Sequence, residues 1–332
     1  MKKVVKTILL FFLLNGPVSA QVDPHFSQYY AYPLWLNPGL TGAIDGGYRF
    51  TAIYRNQWSS VMTPFTTMGI SADVATEKNL NLGLNFLNQA AGDAGYQYLN
   101  AYASIAYSGV KFGKDQSQQI IVGLQAGLLS RRFDASKFQF GDQWNPVTGF
   151  DPNVATADVL TRTSASILDV GAGISYLDGS SDKKANVFAG AGLFHLTRPQ
   201  DPFVAAGVKQ TLPMRMAVHA GCQINITDVI SLTPHGLYMK QGNASEKMAG
   251  LYGSYLVNER TSLFLGANYR VEDAIVPLLG VEYSNWRFGF SYDLTISDLG
   301  KAVPGTNSLE FSLAYTGRKS GKPLRYLSCP RF

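Results

Sequence analysis

Between Trp286 and Thr295 apolar and polar side chains alternate without a break. Trp286, Phe288, Phe290, Tyr292 and Leu294 point one way; Arg287, Gly289, Ser291, Asp293 and Thr295 point the other. Successive side chains of a β-strand lie on opposite faces, so the segment has one greasy face and one polar face. The same alternation recurs strand after strand from 260 to 315. A soluble sheet packs its greasy face on a core, as in a β-sandwich. A ring of such strands that closes on itself turns that face to lipid and the other to water.

Composition favours the ring. Hydrophobic residues make up 46% of the chain and charged residues only 15%, with 18 Tyr, 19 Phe and 33 Gly. Soluble domains carry about 25% charge. The start of the chain reads as a cleavable export signal: basic Lys2, Lys3 and Lys6, an apolar stretch from Ile8 to Leu14, and Val18-Ser19-Ala20 before Gln21. No later stretch reaches the roughly 18 apolar residues that a membrane-spanning helix needs. Neither Cys222 nor Cys329 follows the cleavage site, so a lipid-bearing amino-terminal cysteine is excluded. The two cysteines read as mid-strand and tail, which argues against a disulfide between them. The formal charge of +5 is misleading, because three charges belong to the signal and five to Arg318, Lys319, Lys322, Arg325 and Arg331. What lies between is net negative, so the basicity belongs to a tail and does not point to nucleic acid.

About fourteen strands are expected, near 48–58, 66–75, 80–87, 98–108, 118–130, 166–177, 185–196, 214–224, 229–240, 246–256, 260–270, 275–283, 286–295 and 308–317. Connections after even-numbered strands are brief and those after odd-numbered strands tend to be longer, except near 241–245 and 270–274. Outer-membrane barrels show this contrast, with short periplasmic turns and long outer loops, and it predicts both chain ends in the periplasm. Tyr54, Trp58, Tyr269, Tyr283, Trp286 and Tyr315 fall near strand ends, where amphipathic rings settle at a membrane surface. Gly123, Gly127, Gly171, Gly173, Gly190 and Gly192 lie inside strands, where glycine permits curvature or the close approach of another segment.

The domain reading is therefore signal 1–20, an amino-terminal segment 21–47, a barrel 48–317 and a basic periplasmic tail 318–332. The segment 21–47 holds Pro24, Pro33 and Pro38 and the apolar cluster Phe26, Tyr29, Tyr30, Tyr32, Trp35 and Leu36. Proline interrupts a ladder and such a cluster requires burial, as a plug in the barrel mouth or against a periplasmic partner. The candidate partner-binding residues are Phe133, Phe138, Trp144 and Phe150 on the long connection 131–165, with Phe203 on the neighbouring rim. Exposed aromatics on a loop anchor partner proteins; the same loop folded inward would bury them in the mouth. His25, His195, His219 and His235 are dispersed, and no metal centre, cofactor site or catalytic constellation stands out. The reading is a non-enzymatic docking barrel. The alternatives are a channel for hydrophobic or small polar solutes and, more weakly, a lipid-directed enzyme.

Five blocks resemble one family. They are Asp23-Pro24-His25-Phe26-Ser27-Gln28-Tyr29-Tyr30 with Leu36-Asn37-Pro38; Tyr54-Arg55-Asn56-Gln57-Trp58; Phe140-Gly141-Asp142-Gln143; Ser291 to Leu299; and Cys329-Pro330-Arg331-Phe332. In this order they resemble the PorP/SprF family over essentially the whole mature chain. The resemblance implies an outer-membrane β-barrel of the type IX secretion system of Bacteroidota. It also implies work in exporting or surface-anchoring large proteins, gliding adhesins among them, through their C-terminal domains and with periplasmic secretion components as further partners. It carries across no catalytic residue and no cofactor.

Overall fold

The structure, a computed structural model, describes residues 23–61, 63–93, 95–157, 163–200, 211–303 and 305–317. The signal, the tail and Phe203 lie outside them. Fourteen long strands run antiparallel in chain order: β1 (Tyr48–Gln57), β2 (Phe65–Val74), β3 (Leu80–Ala91), β4 (Tyr96–Phe112), β5 (Gln118–Arg132), β8 (Ser164–Asp178), β9 (Ala185–Phe194), β10 (Arg215–Asn225), β11 (Ile230–Gln241), β12 (Ala244–Asn258), β13 (Thr261–Arg270), β14 (Ala274–Tyr283), β15 (Trp286–Thr295) and β16 (Ser308–Gly317). Two short strands, β6 (Trp144–Asn145) and β7 (Gly149–Phe150), pair with each other inside the connection from β5 to β8. β1 pairs with both β2 and β16, so the sheet closes into a barrel with no unpaired edge. No helix among the described residues is long and apolar enough to cross a membrane.

The strands lie close to where the alternation predicts them. β3 and β4 run further, to Ala91 and Phe112. A register shift between Tyr107 and Val110 breaks the two-residue period there, so the pattern falls silent while the ladder goes on.

Alternate residues of each strand face outward, and they are large and apolar: Phe50, Met68, Leu82, Leu124, Leu128, Leu279, Phe288 and Phe311 are exposed, and Leu265 is 69% exposed. Water would not tolerate such a band; acyl chains would. At one rim Trp286, Tyr315 and Tyr48 stack beside one another, with ring centroids 4.7 Å apart for the first pair and 6.1 Å for the second.

The inward face departs from expectation. Ser291 and Asp293 on β15 are polar and face inward as expected, but they are buried and not bathed in water, and Ile53, Leu87, Ile121, Leu129, Leu177, Phe188, Phe194 and Leu237 also point inward and are buried. They are dry because residues 23–44 pack against them in two apolar clusters. The barrel interior is therefore partly a packed core.

The two rims differ. Turns at 75–79, 113–117, 179–184, 226–229, 259–260 and 284–285 form one; the described parts of the connections that follow β1, β3, β5, β9 and β15, with two tight turns at 242–243 and 271–273, form the other. The first is the turn rim and the second the loop rim. Gly47 meets the turn rim, its N–H donating to Gly317 O and its carbonyl accepting from Ala75 N. Asp23 lies at the loop rim, where its N–H donates to Gln241 Oε1 at 2.8 Å. The segment thus runs the length of the barrel. Asp23 and Gly317 therefore lie at opposite rims; the chain ends themselves, expected in the periplasm, lie outside the described residues. Strand parity alone places residue 47; it says nothing of a segment that doubles back through the lumen.

Candidate functional site

Proline and asparagine shape the inner segment. Pro33 opens a single helical turn, Pro33–Leu36, where its missing N–H costs nothing. Asn37 then accepts from Gly39 N at 2.8 Å and starts the next turn, Pro38–Leu40. The turns present Phe26, Tyr29, Tyr30, Tyr32, Leu34, Trp35, Leu36 and Leu40 around the chain, and all are buried. Burying one such side chain contributes about 1.5–3 kcal/mol, so this surface holds the segment firmly.

Three of the blocks singled out in the sequence meet at one buried ionic clamp. Arg55 on β1 is 1% exposed and pairs with Asp293 on β15 at 2.8 Å and with Glu310 on β16. Arg270 on β13 reaches the same Asp293 oxygen at 2.7 Å. Ser27 sits at the centre. Its hydroxyl accepts from Arg55 at 2.9 Å and from Arg270 at 3.0 Å, and donates to Asp293 at 2.8 Å. Glu310 accepts from Ser27 N at 2.7 Å and from Gln28 N at 2.9 Å, while Asn268 donates to Ser27 O at 2.9 Å. Two guanidinium groups thus face two carboxylates, and the segment's backbone occupies the remaining acceptor positions. Buried charges persist only under such full satisfaction.

Further clasps follow along the segment. Near the turn rim Asp73 accepts from Gly42 N at 2.7 Å and from Arg49 at 2.8 Å, and Arg49 also donates to Leu40 O at 3.2 Å. Near the loop rim both ring nitrogens of His195 face carboxylates, Asp23 at 2.6 Å and Asp169 at 2.7 Å. Burial works against charge on Asp23, but His195 and Arg215 outweigh it and hold the carboxyl well below its ordinary range. The Arg215 guanidinium lies between Trp35 and Phe194, 4.2 and 4.0 Å from the ring centres. Tyr29 and Tyr30 reach His235 Nδ1 at 2.5 Å and His219 Nδ1 at 3.1 Å. Burial pushes the Tyr29 phenol well above its ordinary value, so it stays protonated. The dispersed histidines thus converge on one segment, which the sequence reading missed. His25, the fourth, lies 3.6 Å from Glu246. No group of His, Cys, Asp or Glu among the described residues is placed to hold a metal ion.

The wall glycines divide. A Cβ on Gly123 would lie 2.2 Å from Pro38 O, and on Gly173 2.0 Å from Asn37 Oδ1. Gly190 and Gly192 also make room for Asn37, whereas Gly127 and Gly171 meet the wall itself. The expected outcome for Gly123→Ala is a loss of about 1–3 kcal/mol, because the obstacle is backbone and has no rotamer to swing away. Gly236→Ala, whose Cβ would meet only Met248 O at 3.4 Å, is the control and should leave stability unchanged. Thermal unfolding in detergent compares the two.

The aromatic connection stands apart on the loop rim. Phe133 lies 5.1 Å from Tyr96 and 5.9 Å from Phe138 in tilted contacts, Phe138 stacks on Phe140 at 5.9 Å, and Trp144 and Phe150 lie 6.1 Å apart across the β6–β7 pair. Trp144 is 55% exposed and Val147, at the tip, 91%. The block Phe140-Gly141-Asp142-Gln143 works here as a brace. Asp142 accepts from Ala157 N at 2.7 Å, and Gln143 accepts from Phe140 N at 3.2 Å and donates to Val154 O at 2.8 Å. The structure therefore groups Phe133 with Phe138 and Trp144 with Phe150 on an outward-standing loop.

Solved barrels share this fold at low identity. The CymD monoaromatic hydrocarbon channel is 11% identical, with a TM-score of 0.50 over 87% of this chain and 93% of that one. The Pseudomonas putida toluene transporter TodX is 9% identical, with a TM-score of 0.51 over 85% and 92%. At such identity the likeness concerns the fold alone. No curated protein matches the chain. The model of the type IX secretion system membrane protein family PorP/SprF matches residues 18–315, which covers the clamp, the inner segment and the aromatic loop. The chain therefore belongs to the PorP/SprF family, as the membrane barrel its wall describes.

Proposed function

We propose that this protein is a non-enzymatic outer-membrane docking barrel of the type IX secretion system, which binds the C-terminal domain of a secreted or surface-anchored protein at its loop rim. The observation that supports the reading is the braced aromatic loop, with Trp144 and Val147 exposed. Aromatic anchors on a positioned loop are what a partner domain buries. The inner segment acts as a plug, so the barrel is a platform and not a conduit, and its periplasmic rim meets secretion components.

Replacing Trp144, Val147 and Phe150 together by serine is expected to release the cargo from the cell surface into the medium while leaving the barrel folded. Surface proteins shaved from intact cells and counted by mass spectrometry give the answer. An unchanged surface complement would sink the reading.

A second reading has its own support. One cavity of 420 Å³ opens at the turn rim and another of 270 Å³ at the loop rim, the second lined in part by Asp23 and His25 of the segment. In a solute channel these would be its two vestibules, joined when the segment moves. Uptake of a small solute that is lost with the barrel, with all surface proteins retained, would favour it.

A further inference from the structure

Toward the turn rim the inner segment leans on one side of the barrel. The Thr41 hydroxyl donates to Ser104 on β4 at 2.9 Å, and the Thr41 carbonyl accepts from Asn81 on β3 at 3.2 Å. Gly42 N donates to Asp73 on β2, and Pro38 O lies against Gly123 on β5. On the opposite side, along β10 to β15, the 420 Å³ cavity opens, within the range of about 300–1,000 Å³ that ligand pockets occupy. Strand register builds its wall. Ser231 on β11 stands opposite Ser254 on β12, Ser262 on β13 opposite Glu282 on β14, and Glu282 opposite Arg287 on β15. Thr233 lines the cavity and is 1% exposed, yet its hydroxyl has no hydrogen-bond partner among the described residues. Asn186, also buried in the lining, donates to Ser180 O at 2.7 Å, and no described group donates to its side-chain oxygen.

Charge does not select the ligand here. Glu282 and Arg287 pair with each other at 3.4 Å, and the guanidinium lies 4.1 Å from the centre of the Phe264 ring. Asp228 stands exposed on the turn. What remains is a set of hydroxyls and amides, which carry no charge and both donate and accept. A ligand that satisfies them needs many groups of the same kind. A sugar has them; a hydrocarbon would leave Thr233 and Asn186 unpaired in a dry site, at a cost in free energy. We infer that this half of the lumen binds a neutral saccharide, held by Asn186, Ser231, Thr233, Ser254 and Ser262. The site lies at the rim opposite the aromatic loop, so its loss would leave cargo docking untouched. Its ligand is either the end of a glycan polymer or a free sugar, since the two share this chemistry.

Titration calorimetry tests it on the full chain, held in an amine-oxide detergent that has no sugar headgroup. The probes are cellobiose and N,N′-diacetylchitobiose. Heat-modifiable migration on gels confirms that each variant is folded. The expected result is saturable binding of at least one probe by the wild type. Thr233→Val keeps the side chain's shape and removes its hydroxyl, so it should bind about tenfold more weakly, the value of one hydrogen bond. Ser254→Phe fills the cavity and should abolish binding. No saturable binding of either probe, or equal affinity in the wild type and Ser254→Phe, overturns the inference, and the cavity then holds water only. Co-sedimentation with purified cell-wall sacculi, competed by the free disaccharide, identifies the polymer as the ligand. Disaccharide binding without co-sedimentation identifies a free sugar. Either result upholds the site.

Discussion

Exchanging Arg55 for methionine is expected to cost about 3–5 kcal/mol, the usual penalty for removing one partner of a buried ion pair. The side chain is 1% exposed and balances Asp293 and Glu310, with Arg270 sharing the first. Without it two carboxylates compete for one guanidinium in a site that water does not reach, and Ser27 loses a donor. Guanidinium unfolding of the detergent-solubilised barrel, followed by tryptophan fluorescence, measures the loss. The double variant Arg55→Met, Glu310→Gln should recover part of it, because one uncompensated charge is gone; the two losses then fail to add. Equal midpoints for wild type and Arg55→Met would mean that the clamp does not hold the barrel together. Arg55→Lys should fall between, since a point charge cannot bridge two carboxylates with a rigid fork.

The second large effect concerns permeation. In planar bilayers the intact protein should pass no steady current. Deleting residues 24–44 should open a conducting path, since those residues pack against the inward faces of the wall in two apolar clusters. The deletion also bares Ile53, Leu87, Ile121 and Leu129 to water, so lower thermal stability is expected with it. A steady wild-type conductance equal to that of the deletion would refute the plug. That result would leave the clamp intact as a structural feature and would move the balance toward the solute channel.

Much of this fold is legible in the sequence. The alternation at 286–295 required two-faced strands, and closure followed once the apolar face was too large for a soluble sheet. The strand ends were readable because turn chemistry and loss of period coincide there. Where they do not, as at the irregularity between Tyr107 and Val110, the reading stopped short. The aromatic loop was visible too, since five large rings in a polar connection stand out in any order. Its brace was not, because Asp142 and Gln143 act on backbone groups of residues far along the loop. The clamp was present only as fragments. Ser27, Arg55, Arg270, Asp293 and Glu310 lie up to 283 residues apart, and each alone reads as an ordinary polar position on an inward face. Likewise glycines inside strands point to curvature or close approach, but which of them approach the segment and which only the wall depends on where the segment lies.

Local patterning by itself determined the element type, the count of strands and which side chains share a face, because a strand's period of two is written into neighbouring residues. Where the inner segment runs, and at which rim it begins, only the tertiary structure decided. That placement is set by contacts to inward faces all around the ring, and no local period records which strand stands opposite which residue.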